Sequence, residues 1–280
     1  GHTYTAPGTY TITLTVYDDD GGSHTVTKQV VVEFAGLQLG ACCSGNLYAL
    51  VIGSLTVNDR IHVNPQSNGG TLQVTITNRV TGVVIYQQSF APPPGGFGKI
   101  VIFGQGADDY IQIADSIGVS ACVFAAGGND NVKGGSGNDV LVGGDGDDML
   151  IGGNGRDLMI GGFGADRLVG NHEEDILIAG TTAYDANDEA LCHIMAEWTS
   201  TNSNATRIAH IQNGTGATGG YYLNGNDGTG QTVFNDNSVD TLTGSQGVDW
   251  FFANQTADNG GAIDKVTDQA ASELWSDTDF

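Results

Sequence analysis

The chain has 280 residues, 44 of them glycine, with 32 acidic side chains against nine Lys plus Arg and a formal charge of -23. Such a polyanion has no basic patch with which to displace counterions from nucleic acid, and no apolar run approaches the length of a membrane helix. Glycine and acid at this level oppose compaction, yet 39% of the residues are hydrophobic and regularly placed, so the composition points to a soluble cation as folding partner.

Residue 1 falls inside a strand-like pattern instead of a signal peptide, so the chain reads as a piece of a longer protein. Residues 9–17, TYTITLTVY, alternate threonine or tyrosine with Ile12, Leu14 and Val16, the period-two signature of a half-buried strand. After a turn at Asp18 to Gly22 a second strand is predicted over 23–34. A lone hairpin cannot bury enough surface to be stable. The stretch GHTYTAPGTYTITLTVYDDDGG resembles the closing strands of a PKD domain, an immunoglobulin-like sandwich common in cell-surface and secreted proteins. That resemblance implies that residues 1–34 end a sandwich whose other strands lie upstream.

Residues 35–103 are β-rich, with strand-like runs such as LYALVIGSLTV, TLQVTITN and KIVIF separated by Gly, Pro and Asn. Here Asn58, Asp59 and Ile61 read as a worn copy of a repeat that comes later, and Pro92 to Gly96 reads as a loop. The four cysteines, Cys42, Cys43, Cys122 and Cys192, lack C-x-x-C spacing and a nearby histidine pair, which argues against zinc. Adjacent cysteines rarely pair with each other, and these four do not reveal a compartment.

Over 104–180 the chain becomes periodic. The phrase G-G-x-G-x-D-x-U-x, with U a large apolar residue, runs unbroken from Gly134, Gly143, Gly152 and Gly161. Its sixth places are Asp139, Asp148, Asp157 and Asp166, and its apolar places are Leu141, Leu150, Met159 and Leu168. Weaker copies flank it: AAGGNDNVK offers Asp130 and Val132, GNHEEDILI offers Asp175 and Leu177, and GQGADDYIQ keeps acid and apolar residues without the glycine spacing. A period this strict signals stacked equivalent units and not one globular core. Glycines at places one, two and four admit backbone angles that a Cβ would forbid, giving a tight turn with inward carbonyls. Three residues remain for a short strand with one inward side chain. Two nonapeptides then make one coil, and stacked coils bring aspartates from every second repeat close together. Calcium relieves the resulting repulsion, because it accepts six to eight carboxylate and carbonyl oxygens in flexible geometry, whereas magnesium demands a tighter octahedron.

These copies resemble the RTX calcium-binding nonapeptide repeat, which forms a parallel β-roll in secreted bacterial proteins. The resemblance implies several Ca2+ ions held by the sixth-place aspartate and the carbonyls of places two and four. Residue by residue it implies Gly135, Gly137 and Asp139; Gly144, Gly146 and Asp148; Gly153, Gly155 and Asp157; and Gly162, Gly164 and Asp166. Asp130 and Asp175 are carried over from the weak copies; in the second of these Asn171 and Glu173 replace both glycines, which puts carbonyl ligation there in question.

Between 181 and 232 the strand pattern breaks. Leu191, Ile194, Met195 and Trp198 fall on one face of a helix predicted over 186–198, with Asp185 as its cap, and 206–213 continues as a second short helix. The apolar stripe is expected to cap the open end of the β-roll. In the last stretch, 233–280, VDTLTGSQGVDWFF contains two degenerate units with Asp240 and Asp249, where metal binding stays open and Trp250, Phe251 and Phe252 are expected to pack. The succession of repeats, helix and terminal D-W-F-F also resembles the ends of large planctomycete-type surface proteins.

Enzyme signatures fail: His172 precedes Glu173 and Glu174 with no second histidine at the spacing of H-E-x-x-H, no G-x-S-x-G occurs, and Gly214 to Gly219 satisfies G-x-G-x-x-G without a strand before it and a helix after. The fold expected is mainly β: a parallel roll with calcium-binding turns, a partial PKD sandwich and a helical insertion. The expected function is a non-catalytic calcium-binding module of an exported or cell-surface protein, folded by calcium outside the cell. The alternative is the non-catalytic tail of a secreted protease or lipase whose catalytic domain lies upstream. An extracellular or surface macromolecule is the further partner this reading allows.

Overall fold

The computed structural model describes residues 8–17, 23–32, 35–39, 47–54, 58–67, 70–226, 230–255, 262–268 and 274–277. The turn expected at 18–22, and Cys42 and Cys43, lie outside the described residues. Gly8–Tyr17 and Ser23–Val32 pair antiparallel, from Gly8 with Val32 to Tyr17 with Ser23, in a two-stranded sheet of their own.

The periodic region is a parallel β-roll. Val140–Asp145, Leu158–Phe163 and Ile176–Ile178 lie in one sheet, and Asn131–Gly135, Met149–Gly153 and Arg167–Asn171 alternate with them in a second. Neighbours within a sheet are parallel and one coil apart, with Leu141 beside Met159 and Leu150 beside Leu168. Among the described residues each sheet reaches nine strands, because residues 35–127 and 241–277 add to the same two sheets. At the N-terminal end the pairing turns antiparallel, with Ala35–Leu39 on Tyr48–Gly53 in one sheet and Asp59–Pro65, Leu72–Asn78 and Val84–Phe90 as a meander in the other.

The apolar place of each repeat points between the sheets. Leu141, Leu150, Met159, Leu168, Leu177, Leu242 and Phe251 are wholly buried in this thin core, each contributing about 1.5–3 kcal/mol of burial. A second core lies on the outer face of one sheet only. Its strands read V-L-V, L-M-I and I-L-I, so Val140, Val142, Leu158, Ile160, Ile176 and Ile178 face outward and would be exposed without a cover.

Two helices supply that cover. The first, α1 (Asp188–Trp198), and the second, α2 (Asn204–Asn213), bury Leu191, Ile194, Met195, Trp198, Ile208 and Ile211 against this outer face. The apolar stripe was expected over the end of the roll, and the structure places it on the flank instead. The physical reason is that the outer residues of every second strand form a continuous apolar face, a larger surface than the coil's end. The cap also differs: the Asn187 side chain accepts from Ala190 N–H, while Asp185 accepts from the backbone and hydroxyl of Thr182. Glu174 at a roll turn receives Arg156 at 2.7 Å and buried Arg207 of α2 at 3.6 Å, and the Arg207 guanidinium stacks 4.8 Å from the Trp198 ring. Gly214 to Gly219 forms a single 3-10 turn after α2, not a phosphate-binding loop.

The insertion leaves the stacking intact. Leu168 pairs with Leu242 and Leu177 with Phe251, so the roll resumes in register on the far side of the helices. Phe251 enters the inner core while Trp250 and Phe252 lie under the helices, as their aromatic character suggested.

Candidate metal centre

Each turn joins the two sheets, and its sixth-place aspartate is buried. Along one edge of the roll the carboxylate of each coil reaches back to the aspartate N–H of the coil before it. Asp109 accepts from Asp59 at 2.7 Å, Asp130 from Asp109 at 2.7 Å, Asp148 from Asp130 at 2.8 Å and Asp166 from Asp148 at 2.8 Å. Asp240 then accepts from Asp166 at 2.7 Å and Asp264 from Asp240 at 3.0 Å. Along the other edge Asp139 accepts from Ala121, Asp157 from Asp139, Asp175 from Asp157 and Asp249 from Asp175, at 2.6 to 2.8 Å. One carboxylate oxygen per residue is thereby committed to the backbone.

The second oxygen is what remains. In Asp109, Asp130, Asp139, Asp148, Asp157, Asp166, Asp175 and Asp240 the Oδ2 atom is buried and has no hydrogen-bond partner. A buried acceptor left unmet costs on the order of 1–3 kcal/mol, more when charged. At the far end of the first ladder the second oxygen is met, Asn254 N–H donating to Asp264 Oδ2 at 2.7 Å, and at the near end Ser54 Oγ donates to Asp59 Oδ2 at 2.6 Å.

Backbone carbonyls converge on the same layers. The carbonyls of Gly135 and Gly137 point at Gly153 and Gly155 one coil on so closely that a Cβ at either would collide with them, and those of Gly144 and Gly146 face Gly162 and Gly164 in the same way. Carbonyls from one coil and a carboxylate from the next thus enter one inter-coil layer. The glycines divide this work. Places two and four adopt left-handed angles, as at Gly144 (φ 115°) and Gly146 (φ 124°), with Gly137 of the first exact copy the exception. Place one was expected to need the same freedom, but Gly134, Gly143, Gly152 and Gly161 do not lie at positive φ. Their missing Cβ makes room for the Oδ2 of their own repeat's aspartate. In the weak copy Asn171 (φ 86°) and Glu173 (φ 73°) adopt the left-handed turn without glycine, and the Glu173 carbonyl approaches Gly247 as its counterparts do.

Burial, the largest cause throughout, holds these carboxyls toward the neutral form. Asp130 is pushed up to about 6, Asp148 to about 7, Asp109 and Asp166 to about 8, and Asp240 to about 9. Asp139, Asp157 and Asp175 stand well above the carboxylate range for the same reason. Among the described residues no three His, Cys, Asp or Glu side chains gather around one point, so a metal held here would take carbonyls as well as carboxylates. That mixed, all-oxygen donor set with unmet buried carboxylate oxygens fits a hard cation of calcium's kind.

The structure therefore brings Asp130, Asp148 and Asp166 onto one ladder and Asp139, Asp157 and Asp175 onto the other. It adds members the glycine pattern did not supply: Asp59, Asp109 and Asp264. Their signal was the triad D-x-U, which survives in Asp59-Arg60-Ile61, Asp109-Tyr110-Ile111 and Asp264-Lys265-Val266 after the glycines are lost.

A parallel roll whose turns line up glycine carbonyls and buried aspartates defines a calcium-binding repeat module. Residues 124–159 and 151–181 match the RTX calcium-binding nonapeptide repeat, in four copies, and residues 1–33 match the PKD domain. The chain thus carries an RTX repeat region preceded by PKD sequence. No curated protein and no solved structure matches it significantly.

Proposed function

We propose that this chain is a non-catalytic module of an exported or cell-surface protein, folded by calcium where calcium is plentiful and serving as scaffold, adhesion segment or aid to secretion. The observation that carries the reading is the row of buried, unmet Oδ2 atoms in layers that also receive backbone carbonyls. In this reading the ions are held by Asp139 with Gly135 and Gly137, Asp148 with Gly144 and Gly146, Asp157 with Gly153 and Gly155, and Asp166 with Gly162 and Gly164. Asp130 and Asp175 complete neighbouring layers. Bound calcium supplies the positive charge that lets these carboxylates ionise inside the fold, so binding free energy becomes folding free energy.

Export is supported by a second feature. Cys192 of α1 is disulfide-bonded, and such bonds persist in oxidising compartments. Circular dichroism tests the central claim: β-structure is gained on adding calcium, lost with a chelator, and recovered far less by magnesium at equal concentration. Spectra identical with and without calcium would refute it.

A further inference from the structure

The helical insertion departs and returns through a turn of the roll. Up to Gly180 the coil keeps register, with the Gly180 carbonyl accepting from Gly162 N–H at 3.1 Å. The chain then leaves through Thr181–Thr182, which pairs antiparallel with the returning Val233–Phe234. Asn235 to Asp240 re-enters the roll, so this one turn is closed by two segments distant in sequence. It also lacks the usual backbone: Asp236 and Ser238 are not left-handed, and Asn237 is (φ 67°).

One hydrogen bond shows how the gap is filled. In the intact turns on this edge the place-four N–H donates to a backbone carbonyl of the next coil: Gly128 to Asp145 at 2.8 Å and Gly146 to Phe163 at 2.7 Å. At the seam Gly164 N–H donates at 2.8 Å to the Asp236 carboxylate, whose other oxygen accepts from Ser238 N–H. A neutral acceptor would satisfy Gly164 equally well. The chain instead places a carboxylate here, hydrogen-bonded to the turn that holds Asp166 and four residues before Asp240, which is followed one rung on by Asp264. Two of these, Asp166 and Asp240, are at most 2% exposed and keep an unmet buried Oδ2. Repulsion among buried carboxylates falls off slowly in a low-dielectric interior, so these groups ionise together only with a cation among them.

We propose that the seam is itself a calcium site, in which Asp236 acts with Asp240 to bind an ion that fastens both ends of the helical insertion to the roll. The site lies outside the matched repeats and uses a carboxylate from the returning strand where intact turns use backbone alone. This proposal rests on the calcium reading above, and its test separates the two.

Calcium titration by calorimetry, with circular dichroism as the fold check, would compare the full chain with Asp236→Asn, Asp236→Glu and the surface control Asp188→Asn. Asparagine keeps an acceptor for Gly164 N–H and removes the charge. The expected result is one ion fewer, or one site at least tenfold weaker, in Asp236→Asn, with binding retained in Asp236→Glu and unchanged in the control. No calcium uptake by the unaltered chain would overturn the general reading. Uptake by the unaltered chain with an identical titration for Asp236→Asn would overturn the seam site alone. Failure of both Asp236 variants to fold in saturating calcium would also overturn it, marking Asp236 as a structural acceptor.

Discussion

Removing calcium and then varying pH isolates the carboxylate ladders, because protons and calcium compete for the same oxygens. In the folded, metal-free chain burial raises Asp166 from the ordinary 3.8 to about 8, and Asp109 likewise to about 8. A group raised on folding contributes its full stability below its unfolded value, and that stability is lost as pH climbs through the folded value. At roughly 1.4 kcal/mol per unit, each of these two residues disfavours the metal-free fold by about 5 kcal/mol at pH 8 and by less than about 2 kcal/mol at pH 5. Two such residues already approach the roughly 5–15 kcal/mol that separates folded from unfolded domains, and the ladders hold several more. Chelated protein should therefore keep its β-roll near pH 5 and lose it between about pH 6 and 9, the span of the raised values from Asp130 to Asp240. With saturating calcium the same pH range should have little effect, and binding at pH 7 should release protons, read as a dependence of the calorimetric heat on the buffer's ionisation enthalpy. A chelated chain whose far-ultraviolet spectrum is constant from pH 5 to 9 would refute the reasoning.

Replacing Asp148 and Asp157 with alanine takes one carboxylate from each ladder and should lower calcium affinity at least tenfold, whereas Glu189→Gln on exposed α1 should leave the titration unchanged. A Cβ at Gly143 would collide with Asp148 Oδ2 and the Gly161 carbonyl, while one at Gly53 meets nothing within 4 Å. Gly143→Ala should thus raise the calcium needed for folding and Gly53→Ala should not, as followed by circular dichroism. Trp198→Ser uncovers the apolar outer face of one sheet and should cost about 3–5 kcal/mol, with self-association seen by sedimentation in calcium. Reducing the disulfide at Cys192 should lower thermal stability in calcium, by about 2–4 kcal/mol, while leaving the calcium stoichiometry unaltered.

What the sequence made legible follows from how strictly each place is constrained. The inward apolar residue and the sixth-place aspartate stand at fixed spacing because both meet their counterparts one coil away, so core, roll and the ladder members from Asp130 to Asp175 could be read directly. The seventh and ninth places were passed over because a nine-residue phrase leaves them blank. Read at twice that period they differ: Val140, Val142, Leu158, Ile160, Ile176 and Ile178 on one sheet are all apolar, whereas the other mixes Met149, Ile151 and Val169 with Asn131, Lys133, Arg167, Thr241 and Thr243. That alternation marks one flank as covered, and it would have moved the helix from the end of the roll to its side. Asp240 and Asp249 stand out as degenerate units, but the offset of 74 residues across the insertion left their places on the ladders open until backbone pairing restored both.

The first ladder also carries its own stop signal. Every sixth-place aspartate must use one oxygen to hold the coil before it, and what becomes of the other decides whether a cation is required. In the middle of the roll the place-one glycine leaves Oδ2 a pocket lined by Cα and carbonyl, where no N–H or O–H reaches it. At Asp59 the hydroxyl of Ser54 reaches that oxygen, and at Asp264 the N–H of Asn254 does. At Asp264 both oxygens are thereby met by backbone N–H groups, while in the coils before it one is left to an ion. A repeat array that closed with unmet carboxylates would depend on calcium out to its last coil; here the last rung of the first ladder, Asp264, is held by ordinary hydrogen bonds, so metal dependence on that ladder falls on the coils before it.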